Sequence, residues 1–362
     1  MSEPTVLSPV FERAVPIVFG ADDGFFIPLV VCIRSIVENT SAGENYDIVV
    51  LANRFNEKYT ALLRSMAEGR DNVSIRVYDV EPFLRQCDMS RLKTGHCLSL
   101  ATYYRLFIPD LMKDYRKVLY IDGDTVVLED PAVLYGTDLT DCYAGVVKDY
   151  NIIRDMSMSF RHHVQQVLQM ENTGEYFNAG VLVLNLDLIR RDFSLPFFME
   201  QAELKGAKHH DQDVLNSLFY GKVRFLPPRY NSMWQNEELY APVEGGLDAV
   251  EHPAIVHYPG GGKPWLKAGA FRRAAAHFWK YAVRCPYAGE IMEVCRRDCA
   301  RSVAGYPAER RRYRWYLMLS MLLFGRKRRH YAEKVRSMRR SLAETETLMK
   351  RGEAALPWKV QA

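Results

Sequence analysis

The chain has 362 residues, 48% of them apolar, and a formal net charge of +4. That is enough to bury one large α/β core with a smaller appendage, and the chain need not be split into several equal domains. The charge is uneven: residues 301–340 hold 13 Lys/Arg against Glu309 and Glu333, a net of +11 that leaves −7 for the rest. A basic tail on a mildly acidic body excludes a general nucleic-acid binder and points the tail alone at an anionic surface.

Residues 1–16 carry acids and prolines without an apolar run, so no export signal is expected. A strand is predicted over 15–19, a helix over 27–38, a strand over 48–51, a helix over 58–67 and a strand over 73–78. This alternation predicts a parallel α/β sheet. Ligands of such sheets lie beyond the carboxyl ends of the strands, where Ala21, Asp22, Asp23 and Gly24 fall after the first one. Asp22 and Asp23 are site candidates on that ground, and equally candidates for helix N-caps. A helix over 99–106 is predicted to carry Tyr103, Tyr104 and Arg105 into the core, where a buried arginine needs an anion.

The apolar run 118–121 then enters Asp122-Gly123-Asp124, and Thr125, Val126 and Val127 resume it. Two carboxylates at a strand end, with Gly123 allowing a tight backbone, can converge on one hard cation. A calcium EF-hand is excluded because Val126, Val127 and Val133 stand where that loop needs an oxygen ligand, a glycine and a glutamate. A P-loop is excluded too: Gly260-Gly261-Gly262-Lys263 lacks the earlier glycine and the following Ser/Thr. No early strand leads into a dinucleotide fingerprint.

Further strands are predicted over 142–147 and 181–185, the second opened by Tyr176-Phe177-Asn178-Ala179-Gly180, whose small residues permit a close approach to the backbone. His209-His210-Asp211-Gln212-Asp213 precedes an amphipathic helix over 214–219 and reads as a capping run or as a site. Past Ile255-Val256, the loop His257-Tyr258-Pro259-Gly260-Gly261-Gly262-Lys263-Pro264-Trp265 can wrap phosphates with its N–H groups and add a lysine charge. The seven cysteines are odd in number and scattered, as expected of reduced thiols in a cytosol; Cys295 and Cys299 lack the second pair a zinc site needs.

In the tail, Arg310-Arg311-Arg312 and Arg326-Lys327-Arg328-Arg329 bracket ten largely apolar residues, 315–324. A ten-residue helix is about 15 Å long, half of a hydrocarbon core of roughly 30 Å, so it cannot span a bilayer. Cations worth about 1 kcal/mol each near anionic lipid, with Trp and Tyr at the edge, fit an interfacial anchor. Removing residues 306–362 is expected to release the protein from membranes and spare catalysis.

Six ordered motifs resemble family 8 glycosyltransferases of the bacterial lipopolysaccharide galactosyl- and glucosyltransferase type. They are the early Ala-Asp-Asp, Tyr-x-Arg-Leu at 103–106, Asp-Gly-Asp, Phe-Asn-Ala-Gly at 177–180, Asp-Gln-Asp at 211–213 and His-Tyr…Gly…Lys-Pro-Trp from 257, spread over roughly 15–279. The resemblance implies an α/β fold of GT-A type, a Rossmann-like mixed sheet with flanking helices. It also implies a UDP-sugar donor, Mn²⁺ with Mg²⁺ as the other choice, transfer with retention, and a glycan or glycolipid acceptor. With the tail, the expected organisation is an extension over 1–14, a catalytic domain over 15–280 and a basic helical tail over 281–362, on the inner face of the cytoplasmic membrane.

By position, the resemblance implies that Asp122, Asp124 and His257 hold the metal. Gly260 and Lys263 hold the diphosphate, Ala21, Asp22, Gly123 and Arg105 serve the donor, and Asn178, Asp211 and Gln212 face the transferred sugar with Asp149 on the same side. Gly24 departs from the pattern, since relatives often carry Asn there; Phe25 or Phe26 is expected to stack on the base instead of a tyrosine. Because Gln212 is a neutral amide and a poor nucleophile, front-face attack is expected rather than a covalent intermediate. Two other readings are open: a nucleotide-sugar hydrolase, which delivers sugar only to water, and a non-catalytic scaffold, which binds donor without turnover.

Overall fold

A computed structural model of the protein describes residues 7–87, 100–202, 209–233 and 243–360. The chain divides into two compact units, Met1–His257 and Tyr258–Ala362. Ser99, where a predicted helix starts, and Cys97 lie outside the described residues.

The first unit is built on strands β1 (Val15–Ala21), β2 (Tyr46–Ala52), β3 (Val73–Asp79), β4 (Lys117–Ile121), β5 (Thr125–Val127), β6 (Ala144–Lys148), β7 (Phe177–Asn185), β8 (Val223–Phe225), β9 (Ser232–Met233) and β10 (Ile255–His257). Seven of them form one sheet in the order β3-β2-β1-β4-β7-β6-β8. The helix Phe26–Asn39, buried at ten positions, and the helix Glu57–Ser65 supply the crossovers that parallel strands require. Apolar side chains from β1, β2, β4, β6 and β7 meet the helix Tyr104–Leu111 in one core that includes Val18, Leu51, Phe107, Tyr120 and Leu182. The first part of the segment predicted as one helix is a tighter 3₁₀ turn, Leu100–Tyr103.

The parallel expectation holds for β3, β2, β1 and β4 and fails at β7, which runs antiparallel to both β4 and β6. The sheet is therefore mixed. Eight consecutive residues of β7 are buried, so the strand has no polar face whose alternation could signal its neighbours' direction. The reversal is what positions the site: Ile121 pairs with Val181, and the Asp122 N–H donates to the Gly180 carbonyl at 2.7 Å. The start of β7 thus lies beside the end of β4.

Past Asp124 the chain leaves this sheet. β5 pairs antiparallel with β10 in a second, three-stranded sheet, with His257 opposite Thr125. That register carries a histidine from more than 130 positions away to the side of the two aspartates.

In the second unit, the loop 260–263 is held by packing against Gly269, where a Cβ would lie 2.0 Å from the Gly262 carbonyl oxygen and 2.5 Å from the Lys263 backbone. The long helices Ala288–Leu322 and Gly325–Arg351 form an antiparallel hairpin, with Tyr316 against Tyr331 near its tip (ring centroids 5.6 Å apart) and Tyr306 bonded to Glu346 further down. Lys267, buried, donates to the Ser341 carbonyl at 2.7 Å and its hydroxyl at 2.9 Å. A cut at 306 passes through this packing, so 306–362 is not a separable tail. No helix among the described residues is long and apolar enough to cross a membrane.

Candidate active site

Three ligand atoms, one each from Asp122, Asp124 and His257, lie within 4.8 Å of one another. His257 Nε2 is 3.4 Å from Asp124 Oδ1 and 3.8 Å from Asp122 Oδ2. The space they share exists because residue 180 is glycine: a Cβ there would sit 2.4 Å from His257 Cε1, 2.8 Å from Asp122 Oδ2 and 3.0 Å from Asn178 Oδ1. Two carboxylates and one imidazole converging on a glycine-walled gap fit a divalent ion with oxygen and nitrogen preference. Gly123 contributes differently from the tight backbone expected of it. Its φ is not among the positive ones, and its missing Cβ makes room for the Phe25 ring at 3.3 Å and Leu29 at 3.5 Å.

The other oxygen of Asp122 is already bound. Its Oδ1 accepts from Arg105 Nη2 at 2.9 Å and from the Tyr120 hydroxyl at 2.9 Å, leaving Oδ2 for the gap. Arg105, buried, lies over the Tyr120 ring, donates to the Ala179 carbonyl and pairs through Nε with Asp211 Oδ2 at 2.9 Å. The buried arginine has two anions to meet. Burial works against its charge, but Asp122 and Asp211 outweigh that and hold the guanidinium protonated. Burial, opposed by Arg105, pushes the Asp211 carboxyl up to about 6.

Beside the same glycine lies a network of two amides and a carboxylate. Asn178 Nδ2 donates to Asp149 Oδ2 at 3.1 Å and to Gln212 Oε1 at 3.2 Å, and Gln212 Nε2 donates to Asp149 Oδ2 at 3.3 Å. The backbone N–H of Ala179 donates to Gln212 Oε1 at 3.0 Å, and that of Gly180 to Asn178 Oδ1 at 2.9 Å. Gln212 and Asp211 reach the site from the helix His210–Phe219, whose N-cap, His209, makes no side-chain capping bond. The capping reading holds in part: Asp213, fully buried, accepts from the backbone N–H of the N-cap residue His209, and it also accepts from the Tyr176 hydroxyl and bonds His163 Nε2.

The structure thus brings together Asp122, Asp124, His257, Arg105, Asp211, Gln212, Asn178 and Asp149. Asp22 caps the short turn Asp23–Phe25 by accepting from the Phe25 N–H, as the capping reading had it, and Ala21 ends β1 in the core. Phe26 is buried and stacked on Tyr59 at 3.9 Å, which leaves the half-buried Phe25 as the ring beside Gly123. Gly260 and Lys263 lie in the second unit; Lys263 Nζ donates to the Tyr258 carbonyl at 2.6 Å and Gly260 has φ 67°. Sequence reasoning missed Tyr120 and Asn231. Tyr120 had a signal, since it is two residues before Asp122 on one strand face; Asn231, bonded to His257 Nδ1 at 2.9 Å, is an ordinary turn residue with none.

Solved structures that this chain resembles include sugar transferases. The bifunctional glycosyltransferase WbbM superposes with a TM-score of 0.71 at 30% identity, covering 80% of this chain and 53% of that one. The galactosyltransferase LgtC, in complex with donor and acceptor sugar analogues, gives a TM-score of 0.61 at 27% identity over 75% of this chain and 96% of that one. The fold and the site define a GT-A glycosyltransferase. Among sequence relatives, the lipopolysaccharide 1,2-glucosyltransferase of Escherichia coli (strain K12) is 29% identical over 264 residues, 71% of this chain and 74% of its own. The sequence profile of Glycosyl transferase family 8 matches residues 16–269, and the chain belongs to that family. It spans 60% to 74% of the length of the first curated relatives it matches and about half of the WbbM chain.

Proposed function

We propose that this enzyme moves a hexose, glucose or galactose, from a UDP-sugar to a lipopolysaccharide or related surface-glycan acceptor with retention of configuration, in a manganese-dependent reaction. The observation that carries the reading is the convergence of Asp122, Asp124 and His257 on the glycine-walled gap, with the Asn178 and Gln212 amides and the Asp149 carboxylate bonded together beside the same Gly180. The names of the E. coli glucosyltransferase and of LgtC with its donor and acceptor analogues support the donor and acceptor classes. Carboxylates with one imidazole suit Mn²⁺, and Mg²⁺ is the alternative.

A bound divalent ion supplies Lewis-acid neutralisation of the leaving diphosphate. Asp122 and Asp124 present the carboxylates and His257 the imidazole, while Arg105 holds Asp122 in the orientation that frees Oδ2. Lys263 adds a fixed cation for the diphosphate, a role carried by its place in the His-Tyr…Gly…Lys motif. In the transfer, the bond from the anomeric carbon to the phosphate oxygen breaks and a bond to the acceptor oxygen forms on the same face. The acceptor proton passes to the departing diphosphate oxygen. Gln212, as a neutral amide, flanks the positive sugar without capturing it, and Asp211 and Asn178 orient its hydroxyls.

The purified chain, given UDP-glucose and UDP-galactose with and without Mn²⁺, should release UDP and place sugar on a core-oligosaccharide acceptor. Undiminished turnover in a chelator, sugar delivered only to water, or a glycosyl adduct on Gln212 or Asp211 would overturn the reading in its metal, acceptor and mechanistic parts respectively. Attachment to an anionic membrane surface belongs to the same proposal: the hairpin tip exposes Trp315, Met321 and Phe324 between its arginine runs, and such attachment to the inner face would bring the site to a lipid-linked acceptor.

A further inference from the structure

The hydrogen-bond polarity of the buried amides can be read from two backbone groups that have only one role. A peptide N–H donates and never accepts. The Gly180 N–H points at Asn178 at 2.9 Å, so the Asn178 atom facing it is the carbonyl oxygen. The same Asn178 Oδ1 is 2.9 Å from the Asn231 side chain, which must therefore present its NH₂ there. The opposite flip would set two acceptor oxygens against each other in a site closed to water, since Asn231 is fully buried. With its NH₂ committed, Asn231 turns Oδ1 to His257 Nδ1 at 2.9 Å. An acceptor oxygen there requires a proton on Nδ1, and the neutral ring then carries its lone pair on Nε2, the atom that faces Asp122 and Asp124.

Resting on the metal reading above, we infer that Asn231 is a positioning residue that fixes the His257 tautomer. It passes the direction of the Gly180 N–H through Asn178 to the imidazole, so that Nε2 faces the gap as a ligand before any ion arrives. The same strand N–H groups orient both halves of the site. Ala179 N–H holds Gln212 on the sugar side and Gly180 N–H, through two asparagines, holds His257 on the metal side. Outer partners of a metal-bound histidine of this kind typically carry about 10- to 100-fold in metal affinity.

The test uses the full chain labelled with [¹⁵N]histidine, free of metal, and reads the ring where its own ¹⁵N shifts show it to be neutral. The His257 signal, assigned by its loss in His257→Ala, should report Nδ1–H as the dominant tautomer; dominance of Nε2–H overturns the inference with no variant needed. Mn²⁺ titration followed by electron paramagnetic resonance should then show an affinity about 10- to 100-fold weaker in Asn231→Leu, which removes the acceptor. The same Asn231→Leu variant should lose the dominance of the Nδ1–H tautomer, a change that a merely structural role would not produce. An Asn231→Leu protein that binds Mn²⁺ as tightly as the parent, or that keeps Nδ1–H as its dominant tautomer, overturns the inference. A parent chain that binds no Mn²⁺ at all instead overturns the metal reading, and the tautomer signal still decides the role of Asn231.

Discussion

Single residues decide whether the gap between the aspartates and His257 can hold an ion. Asp122→Asn and Asp124→Asn, which keep the shape of these side chains and an oxygen acceptor beside Arg105, should each abolish UDP release in a donor assay while circular dichroism stays unchanged. Gly180→Ala is the sharper test, for its methyl would fall 2.4 Å from His257 Cε1 and must displace the ring. A displacement of that order should cost about 100-fold or more in kcat/KM, with Mn²⁺ affinity falling alongside. Asp211 predicts a pH dependence. Burial raises its carboxyl to about 6, so it is largely protonated below that value and becomes the ionised partner of Arg105 above it. If the carboxylate is the form that orients the sugar, kcat/KM should climb as pH rises through about 6, and Asp211→Asn should be slower and lack that limb. For stability the sign is the reverse: between the unfolded value near 3.9 and about 6 the folded state holds the extra proton, so this group's contribution declines as pH rises through that window.

At the scale of elements, the helix His210–Phe219 is held by its own first turn. Asp213 accepts from the Tyr176 hydroxyl at 2.6 Å and the His209 N–H at 3.1 Å, in full burial. Asp213→Ala leaves those donors without this acceptor and should cost roughly 3 kcal/mol in urea unfolding; an unchanged midpoint would mean the helix is anchored elsewhere. The strands show what was legible. β1, β2 and β3 alternate with helices and could be read as a parallel run, and the aspartates at the end of β4 announced themselves by charge after an apolar run. The reversal of β7 could not be read, because a strand buried on both faces looks the same in either direction. The pairing of β5 with β10 was equally hidden: three-residue strands carry too little pattern to specify a register, and the motif resemblance rather than periodicity pointed to His257.

The whole molecule joins a catalytic unit to a helical one, and its charge asymmetry belongs to the second. The tip of the hairpin leaves Trp315 56% exposed, Met321 70% and Phe324 85%, with Arg310–Arg312 and Arg326–Arg329 on either arm. Exposed aromatic and aliphatic side chains ringed by cations match the interface of an anionic bilayer. Trp315→Gln combined with Phe324→Gln should release the protein from phosphatidylglycerol vesicles in a flotation assay and leave thermal stability within a degree or two, since neither side chain enters the core. Retention of the double variant on the vesicles would rule out the tip as the anchor. Substitution is the right instrument here, because Lys267 is bonded to Ser341 and a truncation at 306 would remove its partner.

By itself the sequence determined the α/β class, the basic tail, the paired aspartates at a strand end and, through ordered motifs, the enzyme family. Those properties are local, carried by residue type and short-range spacing. Only the tertiary structure decided which oxygen of Asp122 is free, that Gly180 makes the gap, that Asp213 is a buried anchor as well as a cap, and that Asn231 stands behind His257. Each of these depends on which strand lies beside which and in what direction. Hydrogen-bond partners so far apart along the chain are selected by packing and leave no periodic trace in the sequence.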